Sequence, residues 1–425
     1  MIDAYLTSKN PFVAAINGRA DVARSKADAA KGVFDTQLGV KYDNKQYPVS
    51  DGQLTDITLE KELQSGMTLL AGYRKAEGVQ EYSNIKTGND GEARIGVKLP
   101  VIALFSDTNK QLYRYRTASL NATLEQCGAQ VRYRQLRYEV ASAYFTLLNH
   151  HQVRQFEQTL LNKARRRHSY ILKKITVGEF APIERLEVER QILHREQRLN
   201  MADTKYETAL QKFATYLDLD PATFTKRFSL PVLQPLRLET DDTSTLYREA
   251  KRRRPDLKRL ETETSLLSLK QSYSAIDRYP QMDVALTGVH DFEYDNGFKI
   301  ALNMHFPIEQ RRYSGTQKAI QSGKTAVAMT KRSRELMVTA SLSNLLNTQK
   351  MLLQNIDSVN REIELCTELE GAERERFNVG EGSQLLVNQR ELDTLEAKLK
   401  RLDYLLKLNV TVLQIKKEAG LNIGS

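Results

Sequence analysis

Apolar residues change period several times along the chain, and each change marks an element. Asn10 to Lys31 carries Pro11, Ala14, Ala15, Ala20, Val22, Ala23 and Ala27, small residues suited to a closely packed short helix. From Phe34 to Tyr42 the period becomes two. Phe34, Thr36, Leu38, Val40 and Tyr42 alternate with Asp35, Gln37, Gly39 and Lys41, the pattern of a half-wet strand. Ile57 to Tyr73 carries Leu59, Leu63, Met67, Leu69, Ala71 and Tyr73, interrupted at Ser65-Gly66. Ala93 to Leu99 alternates again and Pro100 closes it; Asp51-Gly52 and Asn89-Asp90-Gly91 are turn signals.

The character then changes. Ser106 to Thr176 contains no proline and one glycine, Gly128. At 1.5 Å per residue such a helix is a rod of roughly 100 Å. Val177-Gly178 breaks it, and Pro182 suits the first turn of a second helix reaching Leu217. The segment 218–243, with Pro221, Pro231 and Pro235, reads as a surface connector.

The second half repeats this order. Leu246 to Arg254 is helical, Pro255 opens a helix to Ile276, and Pro280 ends it. Met282 to Met304 reads as two alternating strands around the hairpin signal Asn296-Gly297. Pro307 closes them, and a proline-free rod runs from Gly315 to Phe377. After Val379-Gly380 the last helix carries Leu385, Leu392, Leu395, Leu399, Leu402, Leu406, Val410 and Leu413, a coiled-coil seam.

Two landmarks recur at nearly one offset. Leu99-Pro100-Val101 answers Phe306-Pro307-Ile308 after 207 residues, and Val177-Gly178 answers Val379-Gly380 after 202. The expected organisation is therefore a duplication. A first repeat covers 1–217 (strands within 34–99, long helices 106–176 and 182–217), followed by a connector 218–243. A second repeat covers 244–420 (helix 255–276, strands 282–304, long helices 315–377 and 383–418), followed by a tail 421–425. Rods this long and strands this few cannot bury themselves in one copy. Two solutions stay open: a soluble antiparallel coiled-coil scaffold with a small β cap, or several chains closing a β-barrel and a helical barrel.

Composition narrows the field. Hydrophobic residues at 40% and charged residues at 27% exclude a disordered chain. No apolar run reaches ~18 residues, so no hydrophobic membrane helix is expected, though a membrane β-barrel stays open. Met1 to Asn10 mixes Asp3 and Lys9 into its apolar residues and does not read as a signal sequence; any lipid anchor is expected outside this sequence. The net charge of +10 permits contact with nucleic acid or anionic lipid without demanding either. Cys127 and Cys366 sit in separate helical stretches and belong to no metal or redox spacing. His150-His151, His168 and His194 have no convincing ligand partner, and no phosphate loop or nucleophile motif is present. Neither catalysis nor a cofactor is expected.

Several segments together resemble the TolC-type outer-membrane efflux proteins. Arg254-Pro255-Asp256-Leu257 followed by a helix, and Pro280 before a strand, resemble that family. So do the strand-to-helix junctions at Leu99-Pro100 and at Phe306-Pro307-Ile308 with Gly315. Ile175-Thr176-Val177-Gly178 and Arg376-Phe377-Asn378-Val379-Gly380 are similar to its paired helix turns; Ala143-Tyr144-Phe145 and Leu413 to Gly420 also fit. The resemblance implies a mostly α fold with a small β portion: duplicated strand hairpins plus long antiparallel helix pairs. It implies a homotrimer in outer-membrane lipid, each chain giving four strands to a twelve-stranded barrel and its helices to a tunnel through the periplasm. It further implies a passive exit channel for drugs, metals or proteins, working with a periplasmic adaptor and an inner-membrane pump, with no chemistry of its own and no nucleic-acid partner. In the first repeat the membrane hairpin is expected at Met67–Tyr73 and Glu92–Leu99, with Phe34–Tyr42 competing for the first position.

The resemblance also assigns candidate residues. The turns at Val177-Gly178 and Val379-Gly380 would form the periplasmic tips. Glu184 matches the family's aspartate six residues past the first tip glycine, and Phe377 its tyrosine before the second; without a hydroxyl Phe377 cannot share their latch. Leu386 and Gln389 fall where the best-known members carry an acidic pair, so a negative ring is not expected there. Leu385 and Leu386 would close the entrance by apolar contact, or are plain core leucines. Glu381 would supply negative charge near the mouth, or cap the next helix from its first turn. Arg165, Arg166, Lys173 and Lys174 approach a tip and would face a partner, or form a solvated face; Arg167 and Arg252–Arg254 extend the basic clusters.

Overall fold

The computed structural model describes residues 2–47, 50–78, 86–101, 108–179, 181–238, 240 and 242–423. Helices α1 (Ile2–Tyr5) and α2 (Pro11–Ala29) lead through a 3₁₀ turn to strands β1 (Thr36–Tyr47), β2 (Ser50–Glu62), β3 (Thr68–Gly78) and β4 (Glu92–Pro100). Then come α3 (Lys110–Thr176), α4 (Ile183–Tyr216), α5 (Pro221–Arg227), α6 (Thr243–Arg253) and α7 (Pro255–Ala275). Strands β5 (Gln281–Asp291) and β6 (Asp295–His305) precede α8 (Arg311–Asn378) and α9 (Gln384–Glu418). The chain forms two compact units: Met1–Ile16 with Gln130–Pro255 and Ser333–Ser425, and Asn17–Ala129 with Asp256–Arg332. Each unit draws on both sequence halves.

The unit formed by Asn17–Ala129 and Asp256–Arg332 holds one antiparallel sheet of six strands in the order β1-β2-β3-β4-β5-β6. Both candidates for the first membrane strand are therefore strands, and a further one, β2, lies between them. The stretch Ile57–Tyr73 is two strands, because the chain reverses at Ser65-Gly66, where Gly66 has φ 87°. Phe34 belongs to the 3₁₀ turn, packing its ring against Tyr115, and not to the strand. Pro11 to Pro100 spans 89 positions and Pro255 to Pro307 spans 52; the longer first half accommodates the additional β1–β2 hairpin.

Register places the apolar set on one face. Leu38 opposes Leu59, which opposes Ala71, then Ile95, Gly288 and Phe298. Val40, Ile57, Tyr73 and Ala93 form the next row, and Lys61, Leu69, Val97, Leu286 and Ile300 another. Most of these large side chains are exposed in the single chain, Val40 at 67%, Ile95 at 71% and Phe298 at 84%, while Tyr73 and Val97 are half-buried. The opposite face carries Lys41, Thr58, Asp56, Gly72, Arg74, Glu92 and Arg94 among others. There Arg74 pairs with Glu92, and Arg94 reaches past Gly72 to Asp56. A Cβ at Gly72 would sit 2.6 Å from the Ile57 carbonyl oxygen, so glycine suits this crossing.

The other unit is helical. Arg154–Asp203, Arg198–Glu157, Arg165–Glu196 and His168–Glu189 pair α3 with α4, the number rising on one helix as it falls on the other. Thr394 to the Cys366 carbonyl, Lys400–Glu362 and Arg401–Asn360 do the same for α8 and α9. Both pairs are thus antiparallel. Leu147, Phe213 and Phe224 are wholly buried in one cluster, and Leu148, Leu233, Leu402 and Leu408 lie in another.

Helix α9 buries more than the expected seam. Leu395, Leu402 and Leu413 are buried and Leu385 is exposed, while Glu391, Leu405, Leu408, Asn409 and Val412 are also buried. The helix has several neighbours: Asn149 of α3 donates to the Leu402 carbonyl at 3.0 Å, and α8 lies on another side. Most described residues of the connector are exposed, and a few contacts pin it to the helices. Asn409 accepts from the Leu236 amide at 2.7 Å and donates to the Gln234 carbonyl at 2.8 Å, and Leu233 is buried beside it. Helix α5 lies within the connector and buries Phe224 completely. Cys127 and Cys366 are free thiols, and no described helix is long and apolar enough to cross a membrane.

The remaining boundaries differ slightly from expectation. Helix α3 begins at Lys110, and residues 106–107 of its expected start lie outside the described set, as do 424–425 of the tail. Helix α8 begins at Arg311, so Gly315 is inside it.

Candidate functional site

Four helices of the helical unit end in one hydrogen-bonding scheme. After α3, Gly178 donates to the Ile175 carbonyl and Glu179 to that of Lys174; after α8, Gly380 donates to Phe377 and Glu381 to Arg376. This Schellman arrangement needs a left-handed residue, and Gly178 and Gly380 adopt φ 78° and 85°. It satisfies carbonyls that a helix end otherwise leaves open. The same scheme closes α4 at Asp218 and α9 at Gly420, so Gly178 and Asp218 each have a counterpart 202 residues on.

The turns present apolar side chains to solvent. Val177 and Val379 are 67% and 72% exposed, and Ile183, Leu186, Leu385 and Leu386 are exposed on the helices that follow. Leu385 and Leu386 are therefore not core leucines of this chain. Gln389 is exposed and donates to Asp393 at 2.8 Å, which keeps it on its own helix. Phe377 is buried and meets the Tyr170 ring edge-on with centroids 6.2 Å apart. Glu184 is half-buried in the first turn of α4. Glu381 does not lie in the first turn of α9. It occupies the turn before that helix, whose cap is Ser383, accepting from the Leu386 amide at 3.2 Å.

The basic residues divide. Arg165 is held by Glu196 at 2.7 Å and Lys174 by Glu179, whereas Arg166 and Lys173 are exposed. The Glu179 hydrogen bond holds the Lys174 ammonium above its ordinary pKa. Among the junction residues, Pro100 is the last residue of β4 and pairs with Asp283, and Pro307 follows β6 between exposed Phe306 and Ile308.

Behind the turns lies a charge network that no motif signals. Glu391 of α9, 2% exposed, pairs with Arg167 of α3 and with Arg195 of α4 at 3.4 Å; Arg374 of α8 approaches it at 3.6 Å. Arg195, also 2% exposed, donates to Asn388 at 2.5 Å. One carboxylate therefore gathers cations from three other helices. Beside it Glu370 of α8 accepts from Lys163 of α3 at 2.8 Å and pairs with Arg374. Burial pushes the Arg195 guanidinium below its ordinary pKa, opposed by Glu391. At Glu370 burial raises the carboxyl pKa, but Lys163, Thr394 and Arg374 outweigh it and leave the group below its ordinary value. Helical spacing alone could have flagged a charge at Glu391 between Val387, Thr394 and Leu395 on a buried face; the partners come from distant sequence.

Two outcomes follow from this geometry. Glu391→Ala strands Arg195 in a buried site and lowers helical stability by about 3–5 kcal/mol, while adding Arg195→Met restores part of it. The loss is read as a fall in the thermal midpoint of the helical circular dichroism signal. For Glu370 the depressed folded pKa adds stability above its unfolded value, and this stability is lost as pH falls through the folded value. Glu370→Gln should therefore flatten the acid limb of a stability-against-pH curve without moving the limb above pH 6.

No protein-family model matches the sequence, and no curated protein is similar to it. Solved structures are similar over nearly the whole chain. The open state of the MtrE outer membrane channel of Neisseria gonorrhoeae matches with TM-score 0.72 and 13% identity, covering 99% of this chain and 88% of that one. VceC, an outer membrane protein of Vibrio cholerae, matches with TM-score 0.71 and 11% identity over 99% and 96%. The CmeC outer membrane channel of Campylobacter jejuni matches with TM-score 0.71 and 12% identity over 100% and 86%. At these identities it is the path of the backbone that is shared. The long helices, their antiparallel pairing and the antiparallel strands together give this chain the fold of the TolC-type outer-membrane channels.

Proposed function

We propose that the chain is the protomer of a homotrimeric outer-membrane channel, the passive exit duct of a tripartite efflux or secretion machine. The observation that carries this reading is the two-sided sheet. One face is an apolar belt exposed in the single chain, the other is polar and ion-paired, and among the described residues both outer edges are open. A lipid-facing barrel wall needs that division and cannot tolerate open edges. Copies of the chain would cover both.

In this reading the turns at Gly178 and Gly380 form the periplasmic entrance, with Val177, Val379, Leu385 and Leu386 as apolar closing contacts. Opening separates the tips of neighbouring helix pairs. The Glu391 network ties α9 to α3, α4 and α8, so each chain's helices would move as a group behind its tip. Of the four basic candidates, Arg166 and Lys173 have no ion pair among the described residues and would meet a periplasmic adaptor or an inner-membrane pump. That pump supplies the energy, and Glu184 and Glu381 contribute negative charge near the mouth.

The direct test is extraction of the protein from cell envelopes in detergent, with measurement of its mass and its conductance in planar bilayers. A trimer that conducts is expected. A soluble monomer that conducts nothing would contradict the proposal and favour an elongated scaffold. In the conducting trimer, Leu386→Asp adds a carboxylate near the closing contacts and should increase block by multivalent cations. Unchanged block would remove Leu386 from the pore.

A further inference from the structure

We infer that all six strands stand in the membrane wall, so that three copies close an eighteen-stranded barrel and not the twelve-stranded one that four strands per chain would give. The inference rests on the trimeric channel reading and adds to it the composition of the wall.

The belt is the first ground. Leu38 of β1 and Leu59 of β2 lie in the row of Ala71, Ile95 and Phe298, and Val40 and Ile57 in the row of Tyr73 and Ala93; Tyr42 shares their face. They are as exposed as those rows: Leu38 at 65% and Leu59 at 48%, against Ile300 at 63% and Leu286 at 45%. A hairpin destined for water would place polar residues on that face. Here the polar residues Gln37, Lys41 and Asp43 of β1, with Asp56, Thr58 and Glu60 of β2, take the other face.

The second ground is the polar face itself. Arg94 of β4 crosses β3 at Gly72 to pair with Asp56 of β2, so the network behind the belt extends into the additional hairpin. The third is the pairing. In a four-strand wall the outer edge of β3 would receive the neighbouring copy, but here β2 occupies it in continuous register from Gly52↔Gly78 to Glu62↔Thr68. Among the described residues the free edges are those of β1 and β6, which run in opposite directions because the sheet is antiparallel with an even strand number. Copy-to-copy pairing of β6 with β1 is therefore antiparallel, and the ring closes without a mismatch. The lengths agree: β1 has 12 residues, β2 13 and β6 11, against the roughly 9–11 needed to cross a bilayer. Barrel diameter grows about linearly with strand number, so this wall encloses a lumen of about twice the cross-section.

The test is a cysteine scan in the full-length trimer with its own thiols removed (Cys127→Ala, Cys366→Ser). Cysteines at Leu38, Val40 or Tyr42 are combined with cysteines at Ile300, Leu302 or Met304, all on the belt face, and oxidised. At least one β1–β6 combination is expected to give covalently linked copies. Combinations of the β6 positions with Leu69, Ala71 or Tyr73 of β3 are expected to give none. Cross-links from β3, or none from β1, in particles that keep trimer mass would overturn the eighteen-stranded wall and leave the channel reading standing. Absence of a trimer would overturn the channel reading itself. Spin labels along β1 and β2 give a second readout. Accessibility to oxygen should peak at 38, 40, 42, 57 and 59 and fall at 37, 41, 43, 56 and 58, and uniform access to a water-soluble relaxant would overturn the proposal.

Discussion

A β-sheet with two open edges and a bare apolar face cannot be an end state, and this sheet has both. The outer edges of β1 and β6 carry rows of amide and carbonyl groups that no strand among the described residues pairs. In hydrocarbon each such group costs several kcal/mol, more than its own strand can return. The apolar rows from Leu38 to Phe298 add the opposite demand, since they favour leaving water. In the proposed channel a closed wall in lipid meets both conditions, and its closure needs further copies. Trimerisation and membrane residence are in this view one requirement.

The helical unit answers to a different physics. Its large side chains find cover within the chain, in clusters around Phe213, Leu402 and Leu342. Apolar packing alone lets long helices slide along one another. Buried polar groups specify position more sharply: Glu391 with the arginines of three helices, and Asn409 clamping the connector backbone. At the helix ends the left-handed residues turn the chain by one scheme four times over. The apolar side chains beside the first and third of those turns stay uncovered, and there the single chain again looks incomplete.

Much of this was legible in the residues. Proline and glycine positions bounded the long helices to within a few residues because a missing amide or a positive φ acts locally. Alternation revealed β1, β4, β5 and β6 for the same reason. Strand β2 was hidden: Gln53, Thr55 and Lys61 dilute its apolar face, and the Ser65-Gly66 turn looked like an interruption of one stretch. The exposed tip leucines were found through a family resemblance, and periodicity alone could not separate them from a core seam. The pairing of Glu391 with Arg167 and Arg195, and the Asn409 clamp, depend on partners more than a hundred residues away, which no local pattern encodes. Glu381 falls outside the first turn of α9 because the cap lies two residues later, at Ser383.

The demand for closure is tested most directly by amide hydrogen exchange on the detergent-extracted particle. If copies seal the sheet, amides of β1 and β6 exchange as slowly as those of β3 and β4. Rapid exchange confined to β1 and β6, with the inner strands protected, would show edges open to water and contradict the account.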